Sequence, residues 1–135
     1  MKILLDTHVI IWALTNDERL SDVAGSLILD RNNIIYYSMA SIWEIAIKSQ
    51  KTPKKIPYAE EDVMKYCNEA GFEPVNITGN HIATIKKLHV AEGRQPTNND
   101  PFDRMLLAQA KAEGMKLLTH DKNFDNYDES SILMI

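Results

Sequence analysis

Cysteine occurs once in the 135-residue chain, at Cys67, so no internal disulfide can form, which fits a reducing, cytoplasmic setting. The ordinary reading of that residue is a small helical hydrophobe. An excess of positive charge is missing as well: 15 Lys and Arg stand against 19 Asp and Glu, a net of −4, so no bulk positive field holds a nucleic acid by charge alone. Any polyanionic partner needs a local source of cations. No apolar run approaches the roughly 20 residues a membrane helix requires. The apolar stretch after Lys2 is cut by Asp6, Thr7 and His8 before it reaches the length of a signal-peptide core. Repeats and low-complexity tracts are absent too.

What the sequence does contain is ordinary. Hydrophobic residues make up 44% and charged residues 25%, which excludes disordered, collagen-like and coiled-coil classes. The length suits one domain over residues 1–135, and a chain of that size buries roughly 68–70% of its extended surface, enough for one core without staples.

Residues 2–6 read as a short strand buried on both faces and ending at Asp6, after which Thr7 can cap a helix leaving the sheet. A second helix is expected near 21–31, a strand over 34–37 ending at Ser38, and a helix over 39–50 with Glu44 and Lys48 four apart on one face. Pro53 and Pro57 mark a lysine-rich loop, followed by helical periodicity over 58–70 up to Gly71, a strand over 72–77 and a helix over 78–89. A polar connection over 90–99, with Gly93 and Pro96, precedes a helix start in which Asp100 is the N-cap and Pro101 the first helical residue. That helix runs to about Gly114; strands over 116–119 and 132–135 close the chain, with a turn over 120–127 between them. Alternating strands and helices predict an α/β fold of three layers, helices on both faces of a central parallel sheet of four to five strands. In such sheets sites lie beyond the carboxyl ends of the strands.

Four acids fall at matching places in that topology. Asp6 ends the first strand, Glu44 lies early in the helix after the second, Asp103 opens a helix, and Asp121 follows the strand ending at Thr119. Each has a bland alternative. Asp6 can be a solvated strand end, Glu44 can complete a capping box with Ser41 or pair with Lys48, Asp103 can complement a helix dipole, and Asp121 can be a turn residue. Only the set is persuasive. Carboxylates ~5 Å apart repel by roughly 3 kcal/mol per pair at an effective dielectric near 20. Several such pairs rival a domain stability of about 5–15 kcal/mol. Such a cluster takes up protons or binds a cation, and oxygen-only donors suit Mg²⁺ or Mn²⁺ rather than zinc.

The segments Met-Lys-Ile-Leu-Leu-Asp6-Thr7, Ser41-Ile-Trp-Glu44-Ile-Ala-Ile-Lys48, Asp100-Pro-Phe-Asp103-Arg104 and Leu118-Thr119-His-Asp121 resemble, in order and over nearly the whole chain, the successive motifs of PIN-domain ribonucleases, in particular the VapC-type toxins. The resemblance implies a PIN-like fold and a Mg²⁺- or Mn²⁺-dependent endoribonuclease of a type II toxin–antitoxin pair, usually dimeric and restrained by a cognate antitoxin. On matching positions Asp6, Glu44, Asp103 and Asp121 are the metal-site acids. Thr7 and Thr119 are their hydroxyl neighbours. Arg104 and the lysines 48, 51, 54 and 55 are candidates for steering RNA, although a lysine-rich loop is more often a solvated face. Many relatives carry histidines just before Asp-Pro-Phe-Asp, where this chain has Asn98 and Asn99.

The expected reaction is hydrolysis of an RNA phosphodiester by metal-activated water. Two rival readings remain at this point. One is a catalytically silent RNA- or protein-binding module. The other is a Mg²⁺-binding receiver-like signalling domain, which wants paired acids after the first strand and an acceptor Asp at the end of the third; this chain offers a single Asp6, then Asn76 and Thr78. Trp12 and Trp43 are expected in the core, as two-sided sheets need large residues inside, with an apolar dimer or antitoxin surface as the alternative. His8 is expected either buried and hydrogen-bonded or near substrate.

Overall fold

The computed structural model describes residues 1–94 and 100–135. Readings that fell on Pro96, Asn98 and Asn99 lie outside the described residues. Five strands form one sheet: β1 (Lys2–Leu5), β2 (Ile34–Ser38), β3 (Glu73–Val75), β4 (Lys116–Thr119) and β5 (Ile132–Met134). Their spatial order is β3-β2-β1-β4-β5, and every pairing is parallel, with Leu4 opposite both Tyr36 and Leu117. The expected parallel sheet is therefore present with five strands.

Alternation along β1 explains why its sequence is a continuous apolar run. Ile3 and Leu5 enter one hydrophobic cluster with Ile35, Tyr37 and Leu118, while Leu4 enters a second cluster with Leu117, Leu106, Leu107 and Phe124. Successive side chains point to opposite faces, and both faces are covered. Helices α1 (Thr7–Thr15), α2 (Asp22–Leu29) and α4 (Glu60–Glu69) supply Ile10, Ala24, Val63 and Cys67 to the first cluster. Helix α6 (Pro101–Glu113) covers the other face with α5 (Gly79–Ile85) packed against it, and α3 (Met39–Lys51) touches both α4 and α6. Cys67 is fully buried, and burial pushes its thiol up to about 12, as expected of a structural hydrophobe. No helix among the described residues is long and apolar enough to cross a membrane.

Several local expectations change. The N-cap of α1 is Asp6, whose carboxylate accepts from the Thr7 N–H; Thr7 is the first helical residue, and its hydroxyl is thereby free to act elsewhere. The alternative of a capping box between Ser41 and Glu44 is not realised, because α3 starts three residues earlier than such a box needs, with Ser38 as its N-cap. Strand β3 and helix α5 are shorter than their periodicity predicts. Trp12 is buried as expected, but Trp43 is 59% exposed, its ring edge-on to Phe102 at 5.1 Å. Polarity along α3 explains Trp43: Ile42 and Ile45 take the core-facing positions beside it.

Two glycines make opposite predictions from the same substitution. Gly114 ends α6 at φ +66°, and nothing crowds the position of a Cβ there, so Gly114→Ala should cost about 1 kcal/mol through backbone strain alone. Gly25 sits inside α2 with open space around it, and Gly25→Ala should stabilise by about 0.5–1 kcal/mol. Urea midpoints moving in opposite directions are the expected result.

Candidate active site

At the carboxyl edge of the sheet, Asp6 leaves β1 with its N–H still bonded to the Leu118 carbonyl at 3.0 Å. One carboxylate oxygen accepts from the Thr7 N–H and the other from the Thr119 hydroxyl, both at 2.7 Å. Thr119 in turn accepts from the Asp121 N–H at 3.0 Å. A single hydroxyl therefore fixes the ends of two adjacent strands and the acids that follow them. Asp121 caps a short 3-10 helix (Lys122–Asn126) through the Asn123 N–H at 2.9 Å.

Glu44 comes from α3. Its Oε1 accepts from the Thr7 hydroxyl at 2.6 Å and its Oε2 from the Lys48 ammonium at 2.6 Å, and Thr7 Oγ1 also lies 2.9 Å from Ser41 Oγ. Thr7 thus ties Asp6 to Glu44 through its backbone N–H and its hydroxyl. Asp103 sits in the first turn of α6, whose N-cap Asp100 accepts from the Phe102 N–H at 2.8 Å. The two acid-bearing helices α3 and α6 are joined where Ser38, the N-cap of α3, donates to the Gln109 side chain of α6 at 2.5 Å.

Charge in this region is poorly compensated. Asp6 is 5% exposed, and burial raises its carboxyl above the usual range despite the hydrogen bonds from Thr119 and Thr7, with Glu44 adding to the rise. Burial also pushes Asp103 up to about 8, reinforced by the charges of Asp6, Asp100, Asp121 and Glu44. Asp103 therefore lies within electrostatic reach of the other three sequence-predicted acids. Burial works against the Lys48 ammonium, yet its hydrogen bond to Glu44 and the fields of Glu44, Asp100 and Asp103 hold it charged, with a raised pKa.

The carboxylates do not form a ready-made chelate: among the described residues no three His, Cys, Asp or Glu side chains are already grouped to hold a metal ion. Both oxygens of Asp6 and both of Glu44 accept hydrogen bonds from protein donors, which fix their orientation. The donor set is all oxygen, anionic and short of cations, which fits a hard divalent ion and fits zinc poorly.

Other expectations divide. Lys48 faces Glu44 instead of standing free to steer a substrate, and Lys51, Lys54 and Lys55 are exposed. Arg104 is half-buried near Tyr127, where it and Asp103 act on the phenol in opposite senses. His8 is exposed. Sequence reasoning missed Ser38 and Gln109; the available signal was a glutamine between buried neighbours, Ala108 and Ala110.

A family model described as PIN domain matches residues 3–130. No curated protein matches the chain significantly. Among solved structures, the chain is similar to one described as VapBC2 from Rickettsia felis bound to a DNA fragment from their promoter, at TM-score 0.68 and 16% identity over 100% of this chain and 98% of that one. It is similar to DNA-bound VapBC from Salmonella typhimurium, at TM-score 0.67 and 17% identity over 99% and 98%. VapBC-5 of Mycobacterium tuberculosis, from a family of toxin–antitoxin systems, gives TM-score 0.66 and 18% identity over 99% and 97%. At these identities the likeness speaks to the fold.

Proposed function

The chain belongs to the PIN-domain family, and from that premise we propose that it is a Mg²⁺- or Mn²⁺-dependent endoribonuclease, the VapC-type toxin of a type II toxin–antitoxin pair. The observation that carries the reading is the gathering of Asp6, Glu44, Asp103 and Asp121 from four elements at one sheet edge, close enough that the others raise Asp103. Asp6 and Asp103 would hold the ion, with Glu44 and Asp121 completing its surroundings. The chemistry supplied by such an ion when bound is a lowered pKa for water and neutralisation of phosphoryl charge.

The chain's own residues do the positioning. Thr119 and the Thr7 N–H hold the Asp6 carboxylate in one orientation, and the Thr7 hydroxyl does the same for Glu44. Lys48 offsets part of the local negative charge, so the acids stay compatible with folding before a cation arrives. The partners are an RNA, a second copy of the chain and a cognate antitoxin; the antitoxin reading draws support from neighbours that are themselves toxin–antitoxin complexes. A cytoplasmic location follows from that role.

The test is incubation of purified protein with total cellular RNA in Mn²⁺ and in EDTA. Discrete fragments carrying 5′-phosphate ends, formed only with Mn²⁺, are the expected result. RNA left intact in both conditions would overturn the nuclease reading in favour of a silent binding module.

A further inference from the structure

Beside the acids lies an open cavity of about 290 Å³, lined by Asp6, His8, Trp12, Arg19, His120 and Asp121. Two of these are proposed ion-holding acids; the other four have no part in the chemistry described so far. The Arg19 guanidinium lies over the Trp12 ring at 5.2 Å, and the His120 ring meets Trp12 edge-on at 5.5 Å. His8 is tilted against the same indole at 6.1 Å. Trp12 is thus a buried floor under three exposed polar planes.

We propose that this cavity is a nucleobase subsite, which holds the base of a nucleotide flanking the scissile phosphate by stacking on the outer face of Arg19, with His8 and His120 facing its edge. The inference rests on the endoribonuclease reading and adds to it the way substrate is gripped.

The state of Arg19 favours a base over a phosphate. Its Nε and Nη2 both donate to the Asp17 carboxylate, at 3.0 and 2.7 Å, and this pairing holds the Asp17 carboxyl down to about 2. Two of the five guanidinium N–H donors are taken by Asp17, and that carboxylate compensates the charge, which weakens the pull of Arg19 on a phosphate. The guanidinium carbon lies over the Trp12 ring and the side chain is 67% exposed, so a planar cation is open to a base from the solvent side. A fixed planar cation backed by an indole is a stacking surface for any base. His120 contributes a defined edge. Its Nδ1 lies 3.1 Å from the Ile135 carbonyl, which only accepts, so Nδ1 is the donor of that contact and the ring is held in one orientation. The cavity volume is just below the usual range for small-molecule pockets, which suits one base and not a longer segment.

The experiment measures binding without cleavage. Asp103→Asn protein in EDTA is titrated against a fluorescein-labelled oligoribonucleotide, and against the same oligonucleotide with abasic residues, by anisotropy. Arg19→Ala and Arg19→Lys are added in that background; Arg19 is exposed, so neither change should disturb the fold. Both are expected to weaken binding of the base-bearing RNA about tenfold, the low end of one lost stacking contact, and to leave abasic RNA binding unchanged. If Arg19→Lys binds as tightly as its parent, or if abasic RNA loses as much as intact RNA, the residue acts by charge and the subsite is overturned. RNA binding by the parent that is insensitive to Arg19 sinks the subsite alone. No binding of any RNA by the parent protein sinks the subsite, whereas the endoribonuclease reading stands or falls separately on Mn²⁺-dependent cleavage by the wild-type chain.

Discussion

Asp103→Asn is expected to lower Mn²⁺-dependent RNA cleavage by roughly a thousandfold, the scale seen when one preorganised charge-stabilising group is removed, while making the metal-free protein more stable at pH 8. The two effects share a cause. Burial and the fields of Asp6, Asp100, Asp121 and Glu44 raise the Asp103 carboxyl to about 8 from an ordinary 3.8. Between those values the folded protein holds a proton that the unfolded chain releases, so metal-free stability falls as pH rises from about 4 through 8. Asp6 is raised as well and contributes in the same direction. An asparagine carries no charge at any of these pH values, so the variant should melt higher than wild type at pH 8 and show a flatter pH dependence. Mn²⁺ should raise the melting temperature of wild type at pH 8 and leave the variant nearly unmoved, because a ligand stabilises only the state that binds it. A variant that melts lower than wild type at pH 8, or one that cleaves normally, would contradict the assignment of Asp103.

Thr7→Val is expected to cost about 1–3 kcal/mol in stability, the penalty for leaving a buried polar group without its partner, and to lower kcat by roughly ten- to a hundredfold. Valine keeps the shape of threonine, so packing is retained and the loss is confined to the hydroxyl. That hydroxyl donates to Glu44 at 2.6 Å and lies 2.9 Å from Ser41, and Glu44 itself is only 4% exposed. Without it, one oxygen of Glu44 loses its donor, and the tie between α1 and α3 is cut. Thr7→Ser restores the hydroxyl and should recover most of the activity. The split matters: a change in KM with unchanged kcat would mean that Thr7 touches substrate and does not orient Glu44. Circular dichroism melts and steady-state cleavage of a short RNA check both halves.

Much of the architecture is legible in the chain because local patterns and burial agree. Pro101 after Asp100, and Gly114 at the far end, bracket α6 by the chemistry of helix ends, so its limits could be read almost residue by residue. Elements without such punctuation have limits that differ from their sequence pattern. Strand β3 has three residues, since beyond Val75 there is no neighbouring strand to pair with. Trp43 reads as core by composition, and its exposure follows from which side of α3 meets the sheet, a rotation that spacing alone leaves ambiguous between adjacent apolar residues.

The sequence by itself determined the parallel sheet and the two ends of α6, and marked four acids as candidates, because strand-end position and helix-start chemistry are written within a few neighbouring residues. Only the tertiary structure decided that Thr7 serves Glu44 across 37 residues, that Thr119 reaches Asp6 across 113, and that the Arg19 guanidinium lies over Trp12. Those contacts join segments through the sheet's crossovers, and their directions are fixed by how helices settle on a twisted sheet, which no local pattern of residues encodes.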